Sequence, residues 1–354
     1  MNENELLKLY LKGERNFQGY NLKEAKLIGA ELIHANLSGA NLMDASLARA
    51  HLERSFLLGA NLNGAFLYGT DLSFVKLKEG KLIEADLTKA NLQGAQLPKV
   101  DLTGAKLSGS ILTSVSLFRA NLPMVNLCGA NLNGINFRCA NLEGANLNWT
   151  NLSGARLSGA NLKGAQLNGV KLSGAFLNGL QLEGINFSGM DLSQVKLSGA
   201  KLQDADLTGS DLSLAFLRRT KLDRANLKKA DLHQGNLRGS QFPEANLMKT
   251  NLTEVDLRNA DLSGTNMNLA DLTGADLSGA NLQGAYLWGA ILDGVNLRGA
   301  DLQGAYLWGA ILDGVNLRGA DLRGASLRDA KMAGVDLQDA ILIGATMPDG
   351  KVHI

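Results

Sequence analysis

A five-residue period constrains this chain more than any other feature of its sequence. From Phe17 to Met347 a large apolar residue stands at every fifth position, without an insertion or a deletion. This series has 67 members, of which 60 are leucine. The residue two positions before each of them is usually alanine, with serine, threonine, valine or glycine as substitutes and larger residues at Ile135, Leu180, Ile185 and Met190. Residues 16–350 therefore supply one large and one small apolar side chain in most pentads.

A period of five matches neither regular secondary structure. In a continuous α-helix of 3.6 residues per turn, the leucines would spread around the whole circumference. In a flat strand, successive leucines would point to opposite faces, because side chains alternate and five is odd. The chain must therefore turn once in each pentad to keep every leucine on one side.

The turn residues agree with this interpretation. Of the 41 glycines, 37 stand two residues after the central apolar residue, at the turn position where a type II turn needs a positive φ. All four prolines stand one residue after it, where a fixed φ suits the turn: Pro98, Pro123, Pro243 and Pro348. Where a charged residue replaces the glycine, the sequence predicts type I or irregular turns: Arg49, Arg54, Glu79, Glu84 and Lys89.

Four such corners close a square circuit of twenty residues. A duplication supports this length, since residues 281–300 and 301–320 differ only at Asn281 and Asp301. The pentads then make roughly 17 coils, stacked about 4.8 Å apart. The sequence predicts an all-β fold, a quadrilateral parallel β-helix whose interior is filled by leucine and alanine.

The repeat resembles the pentapeptide-repeat family, whose motif is A-(N/D)-L-x-x, over residues 16–350. This resemblance implies a right-handed quadrilateral β-helix. The flanking stretches ELLKLYLKGERNFQGYNL (Glu5 to Leu22) and ATMPDGKVH (Ala345 to His353) are similar to those of cyanobacterial members, one of which influences heterocyst differentiation. The resemblance implies a cytoplasmic binding or regulatory protein and specifies no partner.

Residues 3–12 predict a short helix, with Asn2 or Asn4 as its N-cap and Gly13 as its stop. Its apolar face suits a cap over the open first coil, because bare strand edges invite aggregation; binding to a membrane surface is the alternative. The predicted organisation has three parts: an N-terminal helical cap at 1–15, the β-helix at 16–350 and a C-terminal tail at 351–354.

Composition points to a cytoplasmic protein without affinity for nucleic acid or membrane. The net charge is +1, from 35 basic and 34 acidic residues, which gives no general signal for either partner. No apolar run is long enough to span a membrane, and the acidic N-terminus predicts no secretory signal. Cys128 and Cys139 fall on opposite walls of the square, so both are expected to be free thiols.

The sequence predicts no catalytic, metal or cofactor site. It contains no CxxC, HExxH or GxxxxGK[ST] motif, and its four histidines have no ligand-like spacing. Its carboxylates are expected on convex walls, whereas catalysis requires a concave pocket that excludes water.

Sorting positions by multiples of twenty places side chains in vertical columns. One wall carries Tyr286 over Tyr306 and Trp288 over Trp308, a candidate protein-binding patch because exposed aromatic residues anchor interfaces. The alternative is that duplication copied these residues and that stacking within the column is itself favourable.

A second candidate column lies on the opposite wall, and Ser278 is its only gap. Its guanidinium groups would suit an acidic partner or phosphates; alternatively, duplication copied them and nearby aspartates screen them. Its members are Arg218, Arg238, Arg258, Arg298 and Arg318. A third column contains Asp191, Asp211 and Asp231, which we interpret as solvated wall.

We therefore expect a non-catalytic interaction or regulatory scaffold that presents wall patches to a protein partner. One alternative is a DNA mimic that binds a topoisomerase, as some family members are thought to do, since residues 251–354 hold 13 acidic and 7 basic side chains. Another is a structural spacer or end-to-end homodimer through the C-terminal coil, which has no helical cap in the sequence.

Overall fold

The computed structural model describes residues 3–354 and divides the chain into two compact units, Met1–Phe176 and Leu177–Ile354. In both units, single residues pair in parallel with the residue twenty positions further on. Asn16 pairs with Asn36 in the first unit, and Tyr286 pairs with Tyr306 in the second. Each unit is therefore a parallel β-helix with one short side per pentad, and the predicted twenty-residue circuit is confirmed.

Within each unit, main-chain hydrogen bonds join successive coils. The N–H of the central apolar residue and that of the third turn residue both donate to the following coil. Leu37 donates to the carbonyl of Phe56 at 2.7 Å, and Gly39 donates to that of Leu58 at 2.8 Å. The turn closes within the pentad, where the N–H of Ala40 donates to the carbonyl of Leu37 at 3.0 Å. Each circuit thus repeats the register of its neighbour.

Where an asparagine or aspartate stands before the central apolar residue, its side chain in most cases accepts the remaining N–H of the turn. In one example, the N–H of Ser38 donates to Oδ1 of Asn36 at 3.1 Å. Proline has no N–H and needs no such acceptor. Accordingly, three of the four prolines belong to pentads in which glutamine or threonine replaces this residue: Gln96, Gln241 and Thr346.

The prediction of type I or irregular turns at the charged positions is wrong. Arg49, Glu79 and Lys89 have φ values of 55°, 59° and 59°, and Arg54 and Glu84 also have positive φ. The third turn residue adopts positive φ at 37 glycines and 29 other residues, and Asp349 of the last pentad is the exception.

The ladder between coils explains this uniformity. The N–H of Arg49 donates to the carbonyl of Tyr68 in the next coil at 2.9 Å. A type I turn would flip the central peptide and direct this N–H away from the neighbouring coil. The left-handed backbone costs a non-glycine residue roughly 1–2 kcal/mol, and the stacking of coils enforces it.

The leucines and alanines form the buried interior of both units. Most serines and threonines at the small position donate their hydroxyl groups to main-chain carbonyls, as Thr70 Oγ1 does to Leu47 at 2.7 Å and Ser110 Oγ to Leu107 at 2.6 Å. Ser55 differs, because its buried hydroxyl has no hydrogen-bond partner in the described part of the chain. Because leucine and alanine fill this interior, the side chains that differ from pentad to pentad lie on the outer faces.

The predicted helix is present as α1, Glu3–Leu11. Leu6 is fully buried, and the hydroxyl of Tyr10 donates to the carbonyl of Ile33 at 3.1 Å. These contacts attach α1 to the first coils of its unit. Among residues 3–354, no helix is long and apolar enough to cross a membrane.

Gly13 ends α1, as predicted. It has a φ of 96° and donates to the carbonyl of Tyr10 at 3.0 Å, while Glu14 donates to that of Leu9 at 3.1 Å; this is a Schellman motif. Asn4 lies inside the helix, so its assignment as the N-cap is wrong. Asn2, the other predicted N-cap, lies outside the described residues.

The last residues fold back on the coil that precedes them. Val352 pairs antiparallel with Thr346. The N–H of Gly344 donates to the carbonyl of His353 at 2.7 Å, and the N–H of His353 donates to that of Ala345 at 2.8 Å. This tail therefore covers one side of the final coil.

The turn geometry predicts a graded response to substitution at Gly154. Its φ is 65°, and an added Cβ would meet nothing within 4 Å, so any cost comes from the backbone conformation. We expect Gly154→Ala to destabilise the protein by about 1 kcal/mol, Gly154→Val by more and Gly154→Asn by less, measured from urea midpoints. Ser153→Ala is the control in the same turn. Equal midpoints for the four variants would contradict the role of the left-handed turn.

Candidate protein-binding site

The aromatic cluster comprises Tyr286, Trp288, Tyr306 and Trp308. The buried Leu287 and Leu307 fix its orientation, because the residues on either side of an inward-pointing residue point outward. The four aromatic side chains have exposed fractions between 46% and 53%. The β-helix thus holds four large rings on its surface, two on each of two successive coils.

Stacking organises the cluster. The rings of Tyr286 and Tyr306 have centroids 5.0 Å apart and planes inclined by 5°, close to the distance of about 4.8 Å between paired strands. The four rings line a groove of about 270 Å³ together with Asn268, Ser326 and Arg328. The structure therefore brings the predicted aromatic residues into one concave surface.

The two tryptophans make different polar contacts. Trp308 Nε1 donates to Oδ2 of Asp329 at 2.7 Å, and Arg328 Nε lies 3.9 Å from the same oxygen. The main-chain N–H of Trp288 donates to Oδ1 of Asn268 at 2.8 Å. No residue between 3 and 354 accepts a hydrogen bond from Trp288 Nε1, which is therefore available to a ligand.

Asp329 was not predicted from the sequence. Its position in the sequence could have predicted the contact. Asp329 follows Trp308 by 21 residues, which is one circuit of twenty plus one, so it lies beside the tryptophan on the next coil. A search of neighbouring columns for polar partners would have found it. The rotamer that makes this contact depends on packing.

The arginine column is not uniform. Arg258 forms a bidentate pair with Asp256, through Nε–Oδ1 at 2.8 Å and Nη2–Oδ2 at 2.7 Å. Its Nε also lies 3.8 Å from Oδ2 of Asp276. Arg318 Nε lies 3.9 Å from Oδ2 of Asp339. Two of the five guanidinium groups are thus partly neutralised by their own chain.

The remaining members, Arg218, Arg238 and Arg298, form no ion pair with any described residue. They are not adjacent as a group, because the paired Arg258 and the gap at Ser278 lie between Arg238 and Arg298. The unpaired guanidinium groups of the column therefore do not form a continuous row of positive charge.

The aspartate column has a structural role. Asp191, Asp211 and Asp231 each accept the N–H of the residue two positions later, at 3.0, 2.9 and 3.0 Å. These are the Asx contacts of the repeat, which stabilise the turn. Over the described part of the chain, no group of three or more histidine, cysteine or acidic side chains could hold a metal ion, and Cys128 and Cys139 are free.

Stacked pentad coils with outward-facing patches define a class of protein, the β-helical solenoids. Within that class, the family model for pentapeptide repeats matches residues 15–268 in overlapping segments and residues 270–309 and 310–347 in two consecutive ones. The chain belongs to the pentapeptide-repeat family, and this membership supports the right-handed β-helix that the resemblance implied.

Solved structures of the family are similar to this chain. HetL of Nostoc sp. strain PCC 7120, a protein involved in the regulation of heterocyst differentiation, shares 30% identity over 100% of both chains, with a TM-score of 0.26. QnrB1, a plasmid-mediated fluoroquinolone resistance protein, shares 18% identity over 68% of this chain and 90% of its own, with a TM-score of 0.24. Rfr23 of Cyanothece 51142 shares 28% identity over 48% of this chain and 90% of its own, with a TM-score of 0.11. A comparison with curated proteins found no significant match.

The pairing of Arg258 predicts a pH effect. The hydrogen bonds from Arg258 lower the pKa of Asp256, so this carboxylate contributes stability above the pKa of the unfolded chain, about 3.9. That contribution is lost as the pH falls through the lower folded pKa. We expect Arg258→Gln to raise the Asp256 pKa, measured by NMR, and to lower the urea midpoint more at pH 6 than at pH 3.

Arg298→Gln is the matched control, because Arg298 belongs to the same column and has no ion pair with a described residue. Its effect on the urea midpoint should not change over this pH range. The pairing would be refuted if both variants showed the same pH dependence.

Proposed function

We propose that the protein is a non-catalytic binding scaffold that uses the aromatic cluster to hold a protein partner. The observation that supports this most is the concave surface formed by four half-exposed rings. Tryptophan and tyrosine, together with arginine, are the residue types enriched at binding hot spots. The cytoplasmic location and the regulatory role belong to the same proposal.

The aromatic cluster is a better candidate than the arginine column. Its rings act together, because Tyr286 and Tyr306 stack at 5.0 Å, whereas Arg258 is engaged by Asp256. A DNA mimic would need a continuous anionic surface, and within residues 251–354 Arg298 and Arg318 interrupt the excess of acidic side chains. We therefore place the partner on the aromatic side.

Affinity capture tests this proposal. The full chain and a variant with Tyr286, Trp288, Tyr306 and Trp308 changed to serine are used in parallel as baits in native lysate. We expect the variant to lose at least one protein that the wild type enriches, because the anchoring surface is removed. Mass spectrometry with quantification of each captured protein provides the measurement.

The chain offers a matched control in its other unit. Phe66 and Tyr68 occupy equivalent positions of the circuit and stack at 6.2 Å, so changing both to serine removes a similar aromatic pair elsewhere. This control should retain the partner. Capture of the same proteins in equal amounts by the fourfold variant would refute the proposed site. Circular dichroism and urea midpoints confirm that both variants are folded.

End-to-end dimerisation is a second candidate. The core residues Met332, Leu337 and Leu342 in the last coils are only half-buried, whereas most equivalent leucines earlier in the chain are buried. A second copy stacked on this coil would cover them and pair its free main-chain groups.

Light scattering with size exclusion tests this dimer. We expect a mass of about twice 37.5 kDa at high micromolar concentration, shifting towards the monomer for Leu337→Asp, which places a charge in the interface. A monomer at every concentration would exclude the dimer.

A further inference from the structure

We propose that three arginines on one wall of the first unit bind a phosphorylated serine or threonine in a segment of a protein partner. These residues, Arg119, Arg138 and Arg156, are called the arginine triad. The inference goes beyond the proposed function, because it concerns a different surface and does not depend on the aromatic cluster.

The ladder places the arginine triad on three successive coils. The N–H of Arg119 donates to the carbonyl of Arg138 at 3.0 Å, and the N–H of Phe137 donates to that of Arg156 at 2.8 Å. All three arginine side chains are exposed, and none forms an ion pair with a described residue. The spacing of paired strands and the rise along a strand put the Cβ atoms of Arg138 and Arg156 roughly 8 Å apart. The fold thus brings together three unpaired guanidinium groups.

One aromatic ring holds two of these groups. Cζ of Arg119 lies 5.1 Å from the centroid of the Phe118 ring, and Cζ of Arg138 lies 5.9 Å from it. The two guanidinium carbons are therefore no further apart than the sum of these distances, 11.0 Å. Cation–π contact favours these positions, so less side-chain entropy is lost when the arginines bind an anion.

No carboxylate lies on the wall of the arginine triad. Its outward positions within 116–176 carry no other charge, and those of the preceding wall within 111–154 carry none. Residues 91–176 as a whole have 7 basic and 2 acidic side chains, and the acidic ones, Asp101 and Glu143, stand on the following wall. This part of the first unit therefore has an excess of positive charge, although the whole chain is nearly neutral.

Both acidic residues have other polar neighbours. Asp101 accepts hydrogen bonds from Thr103 Oγ1 at 2.6 Å and from Asn121 Nδ2 at 3.2 Å. Glu143 has Lys163 at the same position of the next coil. An anion can therefore approach the arginine triad without displacing a carboxylate of the same chain.

A phosphate monoester suits these three groups. Guanidinium groups bind phosphate through paired N–H donors. A phosphorylated side chain carries about −1.5 to −2 charges and three acceptor oxygens, so more than one arginine can share it. Arginine clusters are a general means of recognising phosphorylated segments of proteins. A single carboxylate has less charge and fewer oxygens to share.

A nucleic acid strand fits this surface less well. Proteins that bind single strands combine a basic groove with aromatic faces on which bases stack. Phe118 is half-buried, and two guanidinium groups already contact its ring. The row of unpaired cations also ends one coil before Arg119, because Lys99 Nζ lies 3.1 Å from Oε1 of Glu79. The surface has room for one phosphorylated side chain and its flanking residues.

Calorimetry on the full chain tests the choice of anion. Three short peptides are otherwise neutral and identical, and carry phosphoserine, glutamate or serine at the central position. We expect the phosphoserine peptide to bind at least about 10-fold more tightly than the serine peptide, as charge-assisted hydrogen bonds imply. The glutamate peptide should bind more weakly than the phosphoserine peptide, and the advantage of phosphoserine should shrink in high salt.

Substitutions test the site. Arg138→Gln should weaken binding of the phosphoserine peptide about 10-fold, and Arg138→Lys, which retains the charge but not the paired donors, should lie between it and the wild type. Phe118→Leu should weaken binding about 2- to 5-fold, since it removes the cation–π contacts. The matched control is Arg54→Gln, because Arg54 is exposed, has no ion pair with a described residue and lies 5.8 Å from the Phe74 ring. It should bind like the wild type.

The two free cysteines provide a readout of position. Cys139 is exposed and follows Arg138, whereas Cys128 is half-buried and belongs to the opposite wall of the same coil. Saturating phosphoserine peptide should slow the alkylation of Cys139 by iodoacetamide severalfold and leave that of Cys128 unchanged. Mass spectrometry of the digested protein measures both rates.

Equal affinity for the three peptides, no binding up to millimolar concentration, unchanged binding by Arg138→Gln, or equal protection of both cysteines would each overturn the proposal. So would an unstructured oligothymidylate that protects Cys139 more strongly than the phosphoserine peptide at equal concentration of phosphate groups, since the ligand would then be a nucleic acid. The fourfold serine variant should bind the phosphoserine peptide like the wild type. If it loses a captured protein while no peptide binds, the proposed function stands and the phosphate site is wrong.

Discussion

The hydrogen bonds between coils are the constraint on which the rest of this structure depends. They require the third turn residue to direct its N–H at the following coil, and this requirement fixes the left-handed turn in almost every pentad. Arg49 adopts the left-handed conformation despite its free-energy cost, because a type I turn would break main-chain hydrogen bonds to both neighbouring coils. Glycine is therefore favoured at this position, and the ladder imposes the same backbone on other residues.

The regular ladder has a consequence for function. Residues 16–350 have no loop inserted between pentads, and leucine and alanine fill the interior. What varies from coil to coil is the choice of outward side chain. Binding specificity in such a fold arises from columns, because residues twenty apart lie one strand spacing from each other.

The residues of a column form one binding surface only when their side chains lie next to each other and are not engaged by other residues of the chain. The tyrosines satisfy this condition, since their rings stack face to face and leave their outer edges exposed. The arginines do not satisfy it, because Arg258 pairs with Asp256 and therefore does not connect Arg238 with Arg298. The same periodic placement thus yields a coherent surface in one case and a set of isolated charges in the other, depending on which side chains the local wall offers as partners.

The sequence by itself determined the circuit length, the buried residues, the short first helix with its stop at Gly13, and the columns that share a face. These follow from the period of the apolar residues and from the stereochemistry of glycine and proline, which are local properties. Only the tertiary structure decided that Glu79 and Lys89 adopt the glycine-like turn, that Asp329 holds Trp308, and that Arg258 is engaged. The physical reason is that a period fixes where each Cα lies, whereas peptide orientation and side-chain rotamers depend on which hydrogen-bond partners the neighbouring coil presents.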